Sequence, residues 1–104
     1  MIPRIRFEEE ADVEYREAGR WYEIRRTNLG IEFFDAVDAA LRQIVEFPHA
    51  GPPVPRVPRE LPVRRCAVKR FPYHVVYLDT PDALRVLAIA HDRRKPGYWK
   101  DRLR

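Results

Sequence analysis

The sequence predicts an α+β fold with the element order β-α-α-β-β-β, a twisted, mainly antiparallel sheet with a helical hairpin packed on one face. Three observations lead there. Apolar residues recur at helical spacing between Glu9 and Phe47. They alternate or run continuously, as in strands, between Val63 and His91. Six prolines lie between the two regions, at residues 48–62.

The first strand is expected over Ile2–Phe7, where Ile2, Ile5 and Phe7 alternate with Arg4 and Arg6 and Pro3 sits near the start. Glu8, Glu9, Glu10 and Asp12 then suit the positive end of a helix dipole. The first helix is expected over Glu9–Thr27, with Ala11, Tyr15, Ala18 and Tyr22 on one face and Trp21 and Ile24 widening it. Asn28-Leu29-Gly30 ends that helix, because Asn and Gly both tolerate left-handed backbone. The second helix is expected over Ile31–Phe47, with Phe34, Val37, Leu41 and Ile44 as its stripe, until Pro48 stops it. So short a break makes the helices an antiparallel hairpin.

Pro48, Pro52, Pro53, Pro55, Pro58 and Pro62 stiffen the connection that follows, which is too short to separate two domains; residues 1–104 are read as one domain. The remaining strands are expected over Val63–Arg70, Tyr73–Leu78 and Leu84–His91. The last two are almost wholly apolar, as in strands covered on both faces. A charged tail containing Pro96-Gly97-Tyr98-Trp99 follows.

Composition narrows the function. No apolar run approaches the roughly 20 residues that span a bilayer, so no membrane role is expected. No secretory signal precedes Glu10, and the single cysteine, Cys66, points to a reducing cytoplasm. The net charge of +4 conceals an asymmetry. Residues 1–61 carry 9 basic and 12 acidic side chains, whereas residues 62–104 carry 11 and 4. Arg64, Arg65, Lys69 and Arg70 form one basic cluster, and Arg93, Arg94, Lys95, Lys100, Arg102 and Arg104 the other. A polyanion or an acidic protein is the simplest partner for such a half; a merely solvated basic face is the plain alternative. No Cys/His spacing supports a metal site, and no phosphate-binding glycine motif or nucleophile elbow is present. Neither metal nor cofactor is therefore expected.

Four segments in order carry a family resemblance: AGRWYEIRRTNLGIEFFDAVDAAL, IVEFPHAGPP, VRRCAVKRFPYHVVYLD and VLAIAHDRRKPGYW. Over about residues 5–99 they resemble the RelE/ParE toxin superfamily, and the last looks like the closing strand and tail of its plasmid-stabilisation, ParE-like branch. The resemblance implies the toxin of a type II toxin–antitoxin module, a growth inhibitor held inactive by a cognate antitoxin. RelE-like members cleave messenger RNA on the ribosome without a metal, and ParE-like members poison DNA gyrase, so the branch decides whether the chain is an enzyme. The ParE-like branch is preferred. The alternatives are a metal-free endoribonuclease and an inactive member that only binds antitoxin.

Metal-free RNA cleavage needs proton transfer and cations around the phosphorane. His74, His91 and Tyr98 are candidates for the first, with Arg65, Lys69, Arg70, Arg93 and Arg94 for the second, gathered at one end of the sheet. Arg65 stands where RelE-like nucleases carry a basic strand residue, and Arg94 and Tyr98 near their C-terminal Arg and Tyr. Ala67 and His74, however, replace two cations of that pattern. Catalytic candidates, should the chain be a nuclease, are His91, Arg94, Arg65, His74 and Tyr98. Target- or antitoxin-binding candidates are Arg64, Arg65, Lys69, Arg70, Arg93, Arg94 and Trp99. The plain readings are that the histidines bond locally, that Arg65 and Arg94 pair with acidic residues, that Tyr98 and Trp99 anchor the tail, and that Cys66 and His49 are structural.

Overall fold

The computed structural model describes residues 4–58 and 60–103. Its elements are β1 (Ile5–Phe7), α1 (Glu9–Arg25), α2 (Leu29–Glu46), β2 (Val63–Ala67), β3 (Tyr73–Asp79), β4 (Leu84–His91) and a 3-10 turn, Lys100–Leu103. Ile2 and Pro3, where the first strand was expected to begin, lie outside the described residues.

The sheet order is β1-β4-β3-β2. β2–β3 and β3–β4 are antiparallel, whereas β1 lies parallel to β4, with Ile5 opposite Leu84 and Phe7 opposite Val86. The sheet is therefore mixed, and β4, late in sequence, runs through its interior. The register between β3 and β4 shifts between Val76 and Tyr77. The shift makes Leu87 an extra residue on β4, so Leu87 and Ala88 both turn to the same apolar cluster.

Two cores result. The helices cover one face, where Phe33, Val37, Ile44, Val75, Tyr77, Val86 and Ile89 are almost wholly removed from water. The opposite face buries Val63, Val76, Leu78, Leu87, Ala88 and Ala90 beneath Trp99, with Val54, Val57 and Leu61 of the proline-rich segment packed on them. That second layer explains why β3 and β4 read as continuous apolar runs.

The hairpin turns more tightly than its sequence suggests. α1 stops at Arg25, because Arg26 is extended and closes the helix by donating its N–H to the Tyr22 carbonyl. In this turn it is Asn28, not Gly30, that takes the left-handed conformation, with φ 72°. The Glu23 carboxylate then accepts the N–H groups of Asn28 and Gly30 at 2.9 and 3.0 Å. α1 thus caps its neighbour, and α2 starts at Leu29 instead of Ile31. Gly30 is not a helix stop: a Cβ there would sit 2.5 Å from the Gly19 carbonyl oxygen, so a bare backbone is what allows the helices to cross so closely.

Two side-chain expectations are corrected. Phe33, rather than Phe34, is the buried centre of α2, meeting Tyr22, Phe71 and Tyr73 with ring centroids 5.1–5.3 Å apart. Trp21 and Ile24 do not widen the buried stripe; they are 50% and 72% exposed, and the Arg25 guanidinium lies over the Trp21 ring. β2 ends at Ala67 and not Arg70, because Arg70 turns left-handed at φ 74°.

Candidate functional site

The proline-rich segment lies along the outer edge of β2. Arg65 donates its N–H to the Pro52 carbonyl, Val54 donates to the Val63 carbonyl, and Pro53 bridges Arg64. Proline cannot donate to a ladder, so this strap pairs only once by its own N–H and then leaves. The Arg64 guanidinium holds it from beneath through the Gly51 carbonyl at 2.7 Å, and the Tyr77 hydroxyl donates to the Pro48 carbonyl at 2.9 Å. A Cβ on Gly51 would lie 2.5 Å from the Arg65 carbonyl oxygen, which requires glycine at this crossing.

Where the strap comes in from α2, a cleft of about 470 Å³ opens. Ile44 of α2, Phe47 just beyond its end, Arg65 and Ala67 of β2, His74 and Asp92 line it. His74 Nδ1 lies 2.9 Å from an Asp92 carboxylate oxygen, which fixes the ring across the β3–tail junction. Cys66 also lines this cleft, and burial pushes its thiol pKa up, so it stays protonated and unreactive at neutral pH. Asp92 was not singled out from the sequence, because its role depends on the β3–β4 register.

A second cleft, of about 560 Å³, lies on the helical side between α1 and the end of β4, with Trp21, Tyr22, Tyr73, Ile89, His91 and Arg94 in its walls. Tyr73 is opposite His91 and His74 is opposite Ala90. Successive strand residues face opposite ways, so the two histidines lie on opposite sides of the sheet. His91 stacks edge-on against Tyr73 at 5.0 Å and accepts the Arg93 N–H at Nδ1. The expected gathering of Arg65, His74, His91, Arg94 and Tyr98 is thus divided: Arg65 and His74 share the first cleft, and His91 and Arg94 the second.

Tyr98 is committed elsewhere. Its hydroxyl donates to Glu14 at 2.7 Å, and its pKa is pushed well up, first by burial and then by that carboxylate. Glu14 also accepts both terminal nitrogens of Arg102, at 2.9 and 3.0 Å, and the Ile89 N–H at 3.1 Å. The Arg94 guanidinium lies 3.8 Å over the Tyr98 ring. Trp99, a candidate contact residue, is 3% exposed inside the second core.

The charge asymmetry is partly internal. Arg70 pairs with Glu32 at 2.8 Å, Arg85 with Glu8 at 3.3 Å and Arg102 with Glu14, while Arg94 stands 4.0 Å from Glu14. In each case the acidic partner belongs to the helical half or its lead-in and the basic one to the sheet half. Arg65, Lys69, Arg93, Lys95 and Lys100 have no ion pair among the described residues and remain available to a partner. No group of three His, Cys, Asp or Glu among the described residues is placed to hold a metal, and no described helix is long and apolar enough to cross a membrane.

No curated protein matches the sequence. Among solved structures, the chain is similar to one described as the chromosomal ParDE TA system from P. aeruginosa, at 13% identity and a TM-score of 0.70, covering 86% of this chain and 96% of that one. At that identity the likeness shows the fold: two helices on a four-stranded mixed sheet. A family model described as the ParE toxin of the type II toxin-antitoxin system, parDE, matches residues 5–96. The charged, two-cored sheet and its helical hairpin therefore belong to a member of the ParE toxin family of type II toxin–antitoxin systems.

Proposed function

We propose that this ParE-family chain inhibits growth by acting on DNA gyrase, in the cytoplasm, and is neutralised by a cognate antitoxin whose extended segment lies across the basic half. The observation that carries the non-nuclease reading is the division of the proton-transfer candidates. His74 and His91 face opposite sides of the sheet, and the Tyr98 hydroxyl is bound to Glu14. General acid and base must both reach one phosphate, and this arrangement separates them. The free cations Arg65, Lys69, Arg93, Lys95 and Lys100 then serve as an interaction surface and not as a catalytic clamp.

One observation favours a second reading. His74, oriented by Asp92 beside Arg65, is a base-and-cation pair in a cleft, the minimum a ribosome-dependent endoribonuclease would start from. Induction in a host lacking the antitoxin separates the readings. Growth arrest with intact messages and induced DNA damage supports gyrase as the target. Rapid cleavage of translated messages, lost in His74→Ala and Arg65→Ala, overturns it in favour of the nuclease. Unimpaired growth overturns both and leaves an inactive, antitoxin-binding member.

A further inference from the structure

We propose that the outer face of the helical hairpin is where two copies of this chain associate, α1 of each lying on α2 of the other. That face is built wholly from the two helices and is separate from the basic half.

The hairpin leaves apolar surface in water. Ile24 and Ile31, on either side of the turn, are 72% and 57% exposed. Both border a groove of about 350 Å³ between the helices, with Phe34, Arg16 and Arg20 also in its walls. Gly19 and Gly30 border it too, and the Phe34 ring takes the room a Gly19 side chain would need. A single exposed apolar residue is ordinary on a protein surface. Two isoleucines and part of a phenylalanine along one groove make a patch of the kind that meets a partner.

The charges beside the groove identify that partner as a second copy. On the α1 side stand the cations Arg16 and Arg20. Glu17 lines the cleft on the opposite flank of α1, and the Glu23 carboxylate is taken by the Asn28 and Gly30 N–H groups. On the α2 side stand Asp35 and Asp38, both exposed and both close enough to act on the Tyr15 hydroxyl. Arg16 touches the exposed Asp12 at 3.0 Å, whereas Arg20 and Asp35 have no ion pair among the described residues. Tyr15 meets Phe34 at 4.5 Å and Gly19 meets Gly30, so Arg16 and Arg20 are level with the turns of α2 that hold Asp35 and Ile31. A two-fold axis along the groove therefore sets Arg16 and Arg20 of each copy against Asp35 and Asp38 of the other, and Ile24 against Ile31. A partner of one charge sign would meet like charge on one helix, but a second copy meets opposite charge on both. Helices of 17 and 18 residues, about 26 Å long and about 10 Å wide, offer about 500 Å² per copy and about 1,000 Å² in total, the lower limit of a specific interface. The dimer is accordingly weak, with an expected dissociation constant of about 10–100 μM.

Sedimentation equilibrium of the purified chain, up to about 300 μM, tests this. Circular dichroism establishes that each variant is folded. Wild type should dimerise. Ile24→Asp, Arg16→Glu/Arg20→Glu and Asp35→Lys/Asp38→Lys should each weaken self-association by at least about tenfold. An equimolar mixture of the two charge-reversed variants should restore association to within about threefold of wild type, because each then meets opposite charge on both helices. A chain that stays monomeric throughout, a dimer indifferent to these changes, or a mixture that fails to recover overturns the proposal. A monomeric chain in which Ile24→Asp instead weakens binding of the protein encoded beside it also overturns it and gives this face to that partner.

Discussion

Removing the Glu14 carboxylate should unlatch the C-terminal tail. Glu14 is 15% exposed and receives four donors: the Tyr98 hydroxyl, two Arg102 nitrogens and the Ile89 N–H. Arg102 is 12% exposed and also donates to the Leu87 carbonyl. Both partners are largely withdrawn from water. Their pairing therefore lies between an exposed ion pair, worth about 0–1 kcal/mol, and a fully buried one, whose breakage costs about 3–5 kcal/mol. Glu14→Ala strands a guanidinium, a hydroxyl and a strand N–H together, so a loss of about 2–4 kcal/mol is expected. For a chain of this size that lowers the melting midpoint by roughly 10–25 °C. Urea unfolding supplies the free energies, and a double-mutant cycle with Arg102→Leu isolates the pair. The Glu14→Leu/Arg102→Leu double variant should recover part of the loss, because it leaves no buried charge unpaired. A Glu14→Ala cost below about 1 kcal/mol, or strictly additive single variants, would refute this account and make the node an ordinary surface contact.

Three further outcomes follow from the packing and the charges. Gly30→Ala pushes a methyl onto the Gly19 carbonyl and should cost about 1–3 kcal/mol in urea unfolding; an unchanged midpoint would show that the helices can part freely. Glu32 has its pKa lowered, chiefly by its hydrogen bond to Arg70 and then by Arg26, so its contribution is present above the ordinary carboxylate pKa of 4.5 and is lost as pH falls through the depressed folded value. The stability gap between wild type and Glu32→Gln should accordingly close on acidification, and a gap constant from neutral to strongly acidic pH contradicts the assignment. Tyr15 is pushed up to about 12 by burial and by Asp38, so it favours the folded state below pH 10 and that advantage is lost as pH rises toward 12. Tyrosinate absorbance in Tyr15→Phe should lose a component titrating near 12, and an unaltered titration curve rules this out.

The sequence is informative where burial is decided by local spacing. Ala11, Ala18, Val37, Leu41 and Ile44 recur at helical intervals and are buried, and the apolar runs of β3 and β4 announce a sheet covered on both sides. What covers the second side was not legible. Trp99 and the residues around Pro55 show no periodicity, and they reach the sheet only through its tertiary path. The parallel placement of β1 depends on contacts some eighty positions apart, which alternation within six residues cannot encode. The boundary of α2 was misjudged because its cap, Glu23, comes from the other helix. The candidate site divided for a comparable reason: periodicity gives the face of each strand, but only the β3–β4 register shows that His74 and His91 face apart and that Asp92 meets His74.

Placing β4 inside the sheet also sets a schedule for synthesis. β1 pairs only with β4, and the helical hairpin rests on strands that follow it by dozens of residues. While the ribosome is still translating the proline-rich strap, β1, α1 and α2 have no sheet to close on. The acidic half must therefore wait in an unpaired state. Only when residues as late as His91 emerge can β3 and β4 form their hairpin and draw β1 in, and the residues of the Glu14 latch come later still. Folding of this domain thus waits on its last strand, and products interrupted before β4 should be unstructured and open to proteolysis rather than partly active.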